Sequence, residues 1–123
     1  AQYTAAGIVS ELKRLAVPAS ADSIPSSAMQ EDHVSMGWAA GRKLRRALDG
    51  LQRVIAIELM AAARGIALRA PLAAGPNTRP VVDRLRATGA EPGPDRFLSP
   101  DIEAITALVG TGELLDLTPT TLV

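Results

Sequence analysis

The sequence predicts an all-α fold in which one long helix and several shorter helices form part of a helical bundle. Apolar residues recur at intervals of three and four along most of the 123 residues, as they do on one face of a helix. Prolines and glycines separate these periodic segments, and no segment alternates apolar and polar residues as a strand does. We therefore expect residues 1–123 to form a single helical segment.

Composition limits the classes of function. Thirteen Lys and Arg balance thirteen Asp and Glu, so no overall field draws the chain to nucleic acid or to an anionic membrane. The chain has no cysteine, which excludes a disulfide framework and is compatible with the cytoplasm. A core with one Trp, one Tyr and one Phe must be largely aliphatic, which indicates one layer of a larger assembly rather than an independent domain.

The first helix is predicted over residues 4–16, where Ile8, Leu12 and Leu15 have helical spacing. It ends before Pro18, because a proline disfavours the helical conformation of the residue that precedes it. Residues 17–32 are rich in Ser, Pro and Asp and lack apolar periodicity. They are predicted to form an ordered loop that carries the active-site residues.

The long helix is predicted over residues 33–69, and it carries a set of apolar residues that we call the apolar stripe. Their spacing of three and four predicts one face turned towards a partner. Arg53, Glu58 and Arg64 interrupt the apolar half of this helix, so it does not reach the ~20 apolar residues of a membrane span. The stripe consists of Val34, Trp38, Leu44, Leu48, Leu51, Ile55, Leu59, Ala62 and Ile66.

Two short helices are predicted near the end of the chain, over residues 80–88 and 99–109. Pro80 suits the first turn of one helix, and Gly89 ends it. In the other helix, Ser99 is predicted to be the N-cap. Residues 114–123 are expected to be extended or loosely packed.

The polar loop contains the strongest candidate for a functional side chain, Glu31, next to Gln30, Asp32 and His33. Glu31 is predicted to lie just before the start of the long helix, where the helix dipole favours a carboxylate. Position alone favours a structural first-turn acid, and Asp32 is expected to be a capping acid. His33 is the only histidine, so a histidine metal cluster cannot form within this chain, and we expect no metal site.

The loop and its surroundings resemble the C-terminal region of the aromatic amino-acid lyase family, in particular its histidine-specific members. The resemblance covers nearly the whole chain but only about the last quarter of a typical member. It lies in Gln2-Tyr3-Thr4-Ala5-Ala6, Ser10-Glu11-Leu12-Lys13, Gln30-Glu31-Asp32-His33-Val34-Ser35-Met36, Ala56-Ile57-Glu58-Leu59, Asp95-Arg96-Phe97 and Pro100-Asp101-Ile102-Glu103.

The resemblance implies an ammonia-lyase that converts L-histidine to urocanate and ammonia without hydrolysis. It implies that Glu31 faces and binds the substrate. Gln30 flanks Glu31, where it can orient this side chain or bond backbone groups, and it is the second candidate for substrate binding. The resemblance also implies a homotetramer whose long helices form a central bundle, with active sites built by more than one subunit. Family members use a methylideneimidazolone prosthetic group, which they form from an internal Ala-Ser-Gly tripeptide.

This sequence departs from the family pattern in two places. Its nearest approach to the tripeptide is Ala19-Ser20-Ala21, so the prosthetic group is expected to form from residues outside this segment, and the segment alone is expected to be inactive. Met29 stands where many members have Asn. Two alternatives remain: a related lyase or aminomutase that acts on phenylalanine or tyrosine, with an amide expected in place of Glu31, and a stand-alone helical interaction module.

Overall fold

The structure is a computed structural model and describes residues 1–33 and 35–118. Helices dominate it, which confirms the predicted all-α class. Within the described residues the α-helices are α1 (Gln2–Leu15), α2 (Gly37–Ala67), α3 (Arg79–Leu85), α4 (Ser99–Thr111) and α5 (Glu113–Asp116). A 3₁₀ turn (Ala19–Ala21) and the strands β1 (Pro25–Ser26) and β2 (Glu31–Asp32) lie between α1 and α2, and a π-helical turn (Arg86–Ala90) follows α3.

Helix α1 packs against the first half of α2. A Cβ atom on Gly50 would lie 2.9 Å from Cδ2 of Leu12 and 3.3 Å from Cγ2 of Ile8, so glycine lets the two helices approach closely. Lys43 of α2 donates a hydrogen bond from Nζ to the carbonyl of Val17, just after the end of α1. These contacts fix the start of the loop that leads to the candidate site.

The core lies between the second half of α2 and the C-terminal elements. Met60 of α2 and Ile105 of α4 are its largest fully buried side chains. Burial of side chains of this size typically stabilises a fold by about 1.5–3 kcal/mol each. The buried residues are Ala56, Ile57, Met60, Ala63, Val82, Leu85, Ala90, Ile102, Ile105, Leu108 and Leu114.

The core face of α2 is not the apolar stripe that the sequence singled out. Ala56, Ile57, Met60 and Ala63 are the buried residues of α2, and they face the core that α2 forms with the C-terminal elements. The stripe lies beside this face and is only partly covered: Leu59 and Ile66 touch the edge of the core, and Val34 lies outside the described residues. The exposed fractions of Trp38, Leu44, Leu48 and Leu51 are 78%, 60%, 49% and 46%.

The C-terminal region differs from the prediction in three details. Helix α3 ends at Leu85, and a π-helical turn that includes Gly89 replaces the rest of the predicted helix 80–88. Ser99 is the first residue of α4 rather than its N-cap, and among the described residues no side chain caps this helix end. Leu114 is buried in the short helix α5, so the chain is not extended there, whereas residues 119–123 lie outside the described residues. No helix in the described part of the chain is long and apolar enough to cross a membrane.

Candidate functional site

The candidate site lies on a small β-hairpin between α1 and α2. Strands β1 and β2 pair antiparallel, with Pro25 opposite Asp32 and Ser26 opposite Glu31. The backbone N–H of His33 donates to the carbonyl of Ile24 at 2.7 Å and extends the pairing beyond the strands. The segment predicted as an ordered loop, residues 17–32, therefore contains a hydrogen-bonded β-hairpin.

The turn of the hairpin is conformationally costly. Ser27, Ala28 and Met29 have φ angles of 53°, 55° and 68°, in the left-handed region that glycine and asparagine tolerate best. Each such residue costs roughly 1–2 kcal/mol. The turn is closed by the N–H of Gln30, which donates to the carbonyl of Ser27 at 3.2 Å. Contacts elsewhere must therefore hold this turn in place.

The carboxylate of Glu31 is exposed and has one side-chain partner on the hairpin. Oγ of Ser27 donates to its Oε2 at 3.3 Å. A carboxylate has about four lone-pair positions on its two oxygens, so Glu31 retains the capacity to accept hydrogen bonds from another molecule.

The structure corrects the expected setting of Glu31. Helix α2 begins at Gly37, so Glu31 lies in β2 and not in or beside the first turn of the helix. The helix dipole acts within about one turn of the helix end, so it does not account for an acid at this position. The interpretation of Glu31 as a first-turn acid is wrong.

The candidate residues next to Glu31 contact the rest of the hairpin mainly through their backbone atoms. Gln30 and Met29 are both exposed, and Met29 is 81% exposed at the tip of the turn. Asp32 is exposed in β2, and its backbone carbonyl accepts a hydrogen bond from Oγ of Ser26 at 3.3 Å; it does not cap α2. Gln30 and Glu31 are thus both exposed where the turn of the hairpin meets β2.

Sequence reasoning missed Ser26 and Ser27, the two side chains that brace Glu31. Oγ of Ser26 contacts the backbone carbonyls of Glu31 and Asp32, at 3.5 and 3.3 Å, while Ser27 contacts the Glu31 carboxylate. The usual signal for a hairpin is an Asn-Gly or Asp-Gly pair at the turn. This turn has Ser-Ala-Met instead, so the sequence offered only the general affinity of serine for local hydrogen bonds.

The described residues offer neither a metal centre nor the residues of the prosthetic ring. No group of three or more His, Cys, Asp or Glu side chains that could hold a metal ion occurs in ranges 1–33 and 35–118. Ala19–Ala21 forms an exposed 3₁₀ turn and lacks the glycine whose unhindered nitrogen would close a methylideneimidazolone ring. These residues do not fit that group, and no reaction step is assigned to it within this chain.

Comparison with known proteins places the whole segment in one family. A sequence profile described as aromatic amino acid lyase matches residues 1–87. The histidine ammonia-lyase of Streptomyces coelicolor is 65% identical over 116 residues, which cover 94% of this chain and 23% of that protein. The chain thus spans about a quarter of the length of the curated relatives that it matches.

Solved structures have the same fold. The histidine ammonia-lyase of Trypanosoma cruzi superposes with a TM-score of 0.85 at 40% identity, over 95% of this chain and 24% of that one. The tyrosine aminomutase of Streptomyces globisporus gives a TM-score of 0.85 at 32% identity, over 94% of this chain and 22% of that one. With a profile match over more than half of its length, the chain belongs to the aromatic amino acid lyase family.

Proposed function

We propose that this chain is the C-terminal segment of a histidine ammonia-lyase, which eliminates ammonia from L-histidine without hydrolysis and releases urocanate. The observation that carries the proposal is the exposed Glu31 carboxylate, braced on a hairpin in a chain 65% identical to the Streptomyces coelicolor enzyme. The histidine ammonia-lyase relatives support this reading better than the tyrosine aminomutase structures, which are 32% identical.

Glu31 is proposed to bind and orient the substrate. Histidine presents N–H donors on its imidazole and on its ammonium group, and a carboxylate accepts from both and can hold a proton. Gln30 stands next to Glu31 on the same hairpin, and its side-chain amide both donates and accepts hydrogen bonds. Gln30 is therefore proposed as a second substrate contact.

The prosthetic group is proposed to come from outside this segment. A methylideneimidazolone ring built by the remainder of the protein would supply the electrophile that activates the substrate. This chain is proposed to contribute in a different way: it binds histidine and holds the charged groups of the substrate in position. The segment alone is therefore proposed to be inactive.

The apolar stripe is proposed to be covered by helices of the remaining protein in a homotetramer. Leu44, Leu48 and Leu51 follow one another along α2 at about half exposure. Exposed apolar surface of this extent on a long helix is typical of a face that packs against another protein element. We place the assembled enzyme in the cytoplasm, with which a cysteine-free chain is compatible.

A lyase or aminomutase that acts on tyrosine or phenylalanine is the second candidate. It is supported by the close superposition of the Streptomyces globisporus tyrosine aminomutase. An aryl ring has no N–H group, however, and the charged Glu31 would lack a ring partner in such a site. The charge of Glu31 therefore favours histidine.

The test is to incubate the full-length protein that contains this chain separately with histidine, phenylalanine and tyrosine. We expect ammonia release with histidine, accompanied by the absorbance of urocanate. Product from phenylalanine or tyrosine, without urocanate, would support the second candidate. No turnover of any of the three would support the stand-alone interaction module. The isolated segment serves as the control, and urocanate formation by it would contradict the proposal that the electrophile lies elsewhere.

A further inference from the structure

We propose that Ser27 is a positioning residue that holds the Glu31 carboxylate in its substrate-binding orientation. This inference rests on the proposed role of Glu31 in binding histidine. Its basis is the 3.3 Å hydrogen bond from Oγ of Ser27 to Oε2 of Glu31.

Ser26 and Ser27 both form hydrogen bonds with Glu31, but with different parts of it. In the described residues the Ser26 hydroxyl is directed towards backbone, with its one hydrogen shared between the carbonyl of Asp32 at 3.3 Å and that of Glu31 at 3.5 Å. Ser27 donates to the side chain of Glu31. Removal of the Ser26 hydroxyl is therefore expected to weaken the pairing of β1 with β2. Removal of the Ser27 hydroxyl is expected to leave the Glu31 carboxylate free to rotate.

An exposed glutamate needs such a partner to stay in one orientation. Its side chain has several rotatable bonds, and fixing them costs up to about 2 kcal/mol of conformational entropy. Ser27 is itself held by the turn, because its φ angle is 53° and its carbonyl accepts the N–H of Gln30 at 3.2 Å. A donor on a fixed backbone restricts the carboxylate before substrate arrives.

The hydrogen bond from Ser27 to Oε2 leaves Oε1 of Glu31 available to the substrate. Ser27 occupies Oε2 of Glu31, and a carboxylate offers lone pairs on both oxygens. A bond of 3.3 Å at an exposed site lies at the weak end of hydrogen bonds to charged groups. We therefore expect a loss of roughly 3- to 10-fold in kcat/KM when it is removed.

The experiment is a double-mutant cycle in the full-length protein with histidine as substrate. It compares Ser27→Ala, Glu31→Ala and the combined variant, because a glutamine at position 31 would still accept a hydrogen bond from Ser27. Alanine keeps the Cβ atom of serine, so the strain at the positive φ angle is matched and only the hydroxyl is lost. We expect Ser27→Ala to lower kcat/KM about 3- to 10-fold alone and less than about 2-fold when Glu31→Ala is already present, because the two side chains act as a unit.

Two further serine variants test whether folding accounts for the effect. Ser27→Gly removes the hydroxyl and relieves the strained backbone, so it should lose activity as Ser27→Ala does without melting earlier. Ser26→Ala is the matched control: any loss of activity should accompany a lower melting midpoint and should persist when Glu31→Ala is present. Ser27→Asn keeps a donor and tolerates this backbone conformation, and it should recover part of the activity.

The outcomes separate this inference from the proposed function. An equal loss from Ser27→Ala with and without Glu31→Ala, or no loss from Ser27→Ala alone, would overturn the positioning role while leaving Glu31 as the substrate contact. Full kcat/KM in Glu31→Ala itself would overturn the substrate role on which this inference depends.

Discussion

The carboxylate of Asp101 accepts two hydrogen bonds from Arg96, whose Nε and Nη2 lie 3.1 and 2.7 Å from Oδ2. Nη2 of Arg64 lies 3.8 Å from the same oxygen. Both arginines also donate to the carbonyl of Gly89, Arg64 at 3.4 Å and Arg96 at 2.8 Å. One carboxylate thus links α2, the π-helical turn and α4.

Replacing this carboxylate should destabilise the fold. Asp101→Asn leaves two guanidinium groups without their shared anion, and the side chain of Arg64 is only 22% exposed. Hydrogen bonds to charged groups contribute about 1.5–3 kcal/mol each, so we expect a loss of unfolding free energy in this range. Urea unfolding of the full-length protein measures it.

Glu103→Gln is the matched control for Asp101→Asn. It breaks the ion pair with Arg53, in which both side chains are more exposed, at 41% and 56%. A pair of this kind contributes about 0–1 kcal/mol. Equal losses from the two variants would show that the Asp101 cluster is an ordinary surface contact.

Gly89→Ala should be more harmful than Gly112→Ala, although both glycines have positive φ angles. A Cβ atom on Gly89 would lie 2.8 Å from Cγ of Asp101, whereas one on Gly112 would meet no atom of residues 1–33 and 35–118 within 4 Å. We expect a cost of about 1–2 kcal/mol for backbone strain at Gly112 and a clearly larger cost at Gly89. Thermal melting of both variants checks the order, and equal midpoints would contradict the close contact.

Leu48→Ala should weaken the assembly more than Arg45→Ala. Leu48 is 49% exposed in the single chain, and the proposed tetramer would bury it. Truncation of a buried leucine costs about 2–5 kcal/mol, whereas a surface change costs within about 0.5 kcal/mol. Sedimentation at decreasing protein concentration measures dissociation, and identical profiles would mean that the stripe is not an interface.

The helical elements followed from sequence because their signals are local. The spacing of Ile8, Leu12 and Leu15 and the position of Pro18 suffice to place a helix and its end. The face of α2 that packs against the core could not be predicted from the sequence, because apolar residues occur on several sides of this helix. Ala56 and Ala63 are buried on the core face, and periodicity does not reveal which neighbouring element packs against a given face.

The candidate site was predicted in part. Glu31 stood out as an acid in a polar segment, but its hairpin did not, because Ser27, Ala28 and Met29 adopt a conformation that their residue types disfavour. The role of Ser27 depends on a contact between side chains across the turn. Sequence spacing alone does not specify such a contact.

The central claim is that Glu31 binds the substrate, and Glu31→Gln in the full-length protein tests it most directly. The change keeps size and one acceptor oxygen while removing the charge. We predict a 10- to 150-fold loss of kcat/KM for histidine, corresponding to about 1.5–3 kcal/mol, with the melting midpoint nearly unchanged. A variant that melts early but keeps full activity per folded molecule would contradict the claim and make Glu31 a structural residue of the hairpin.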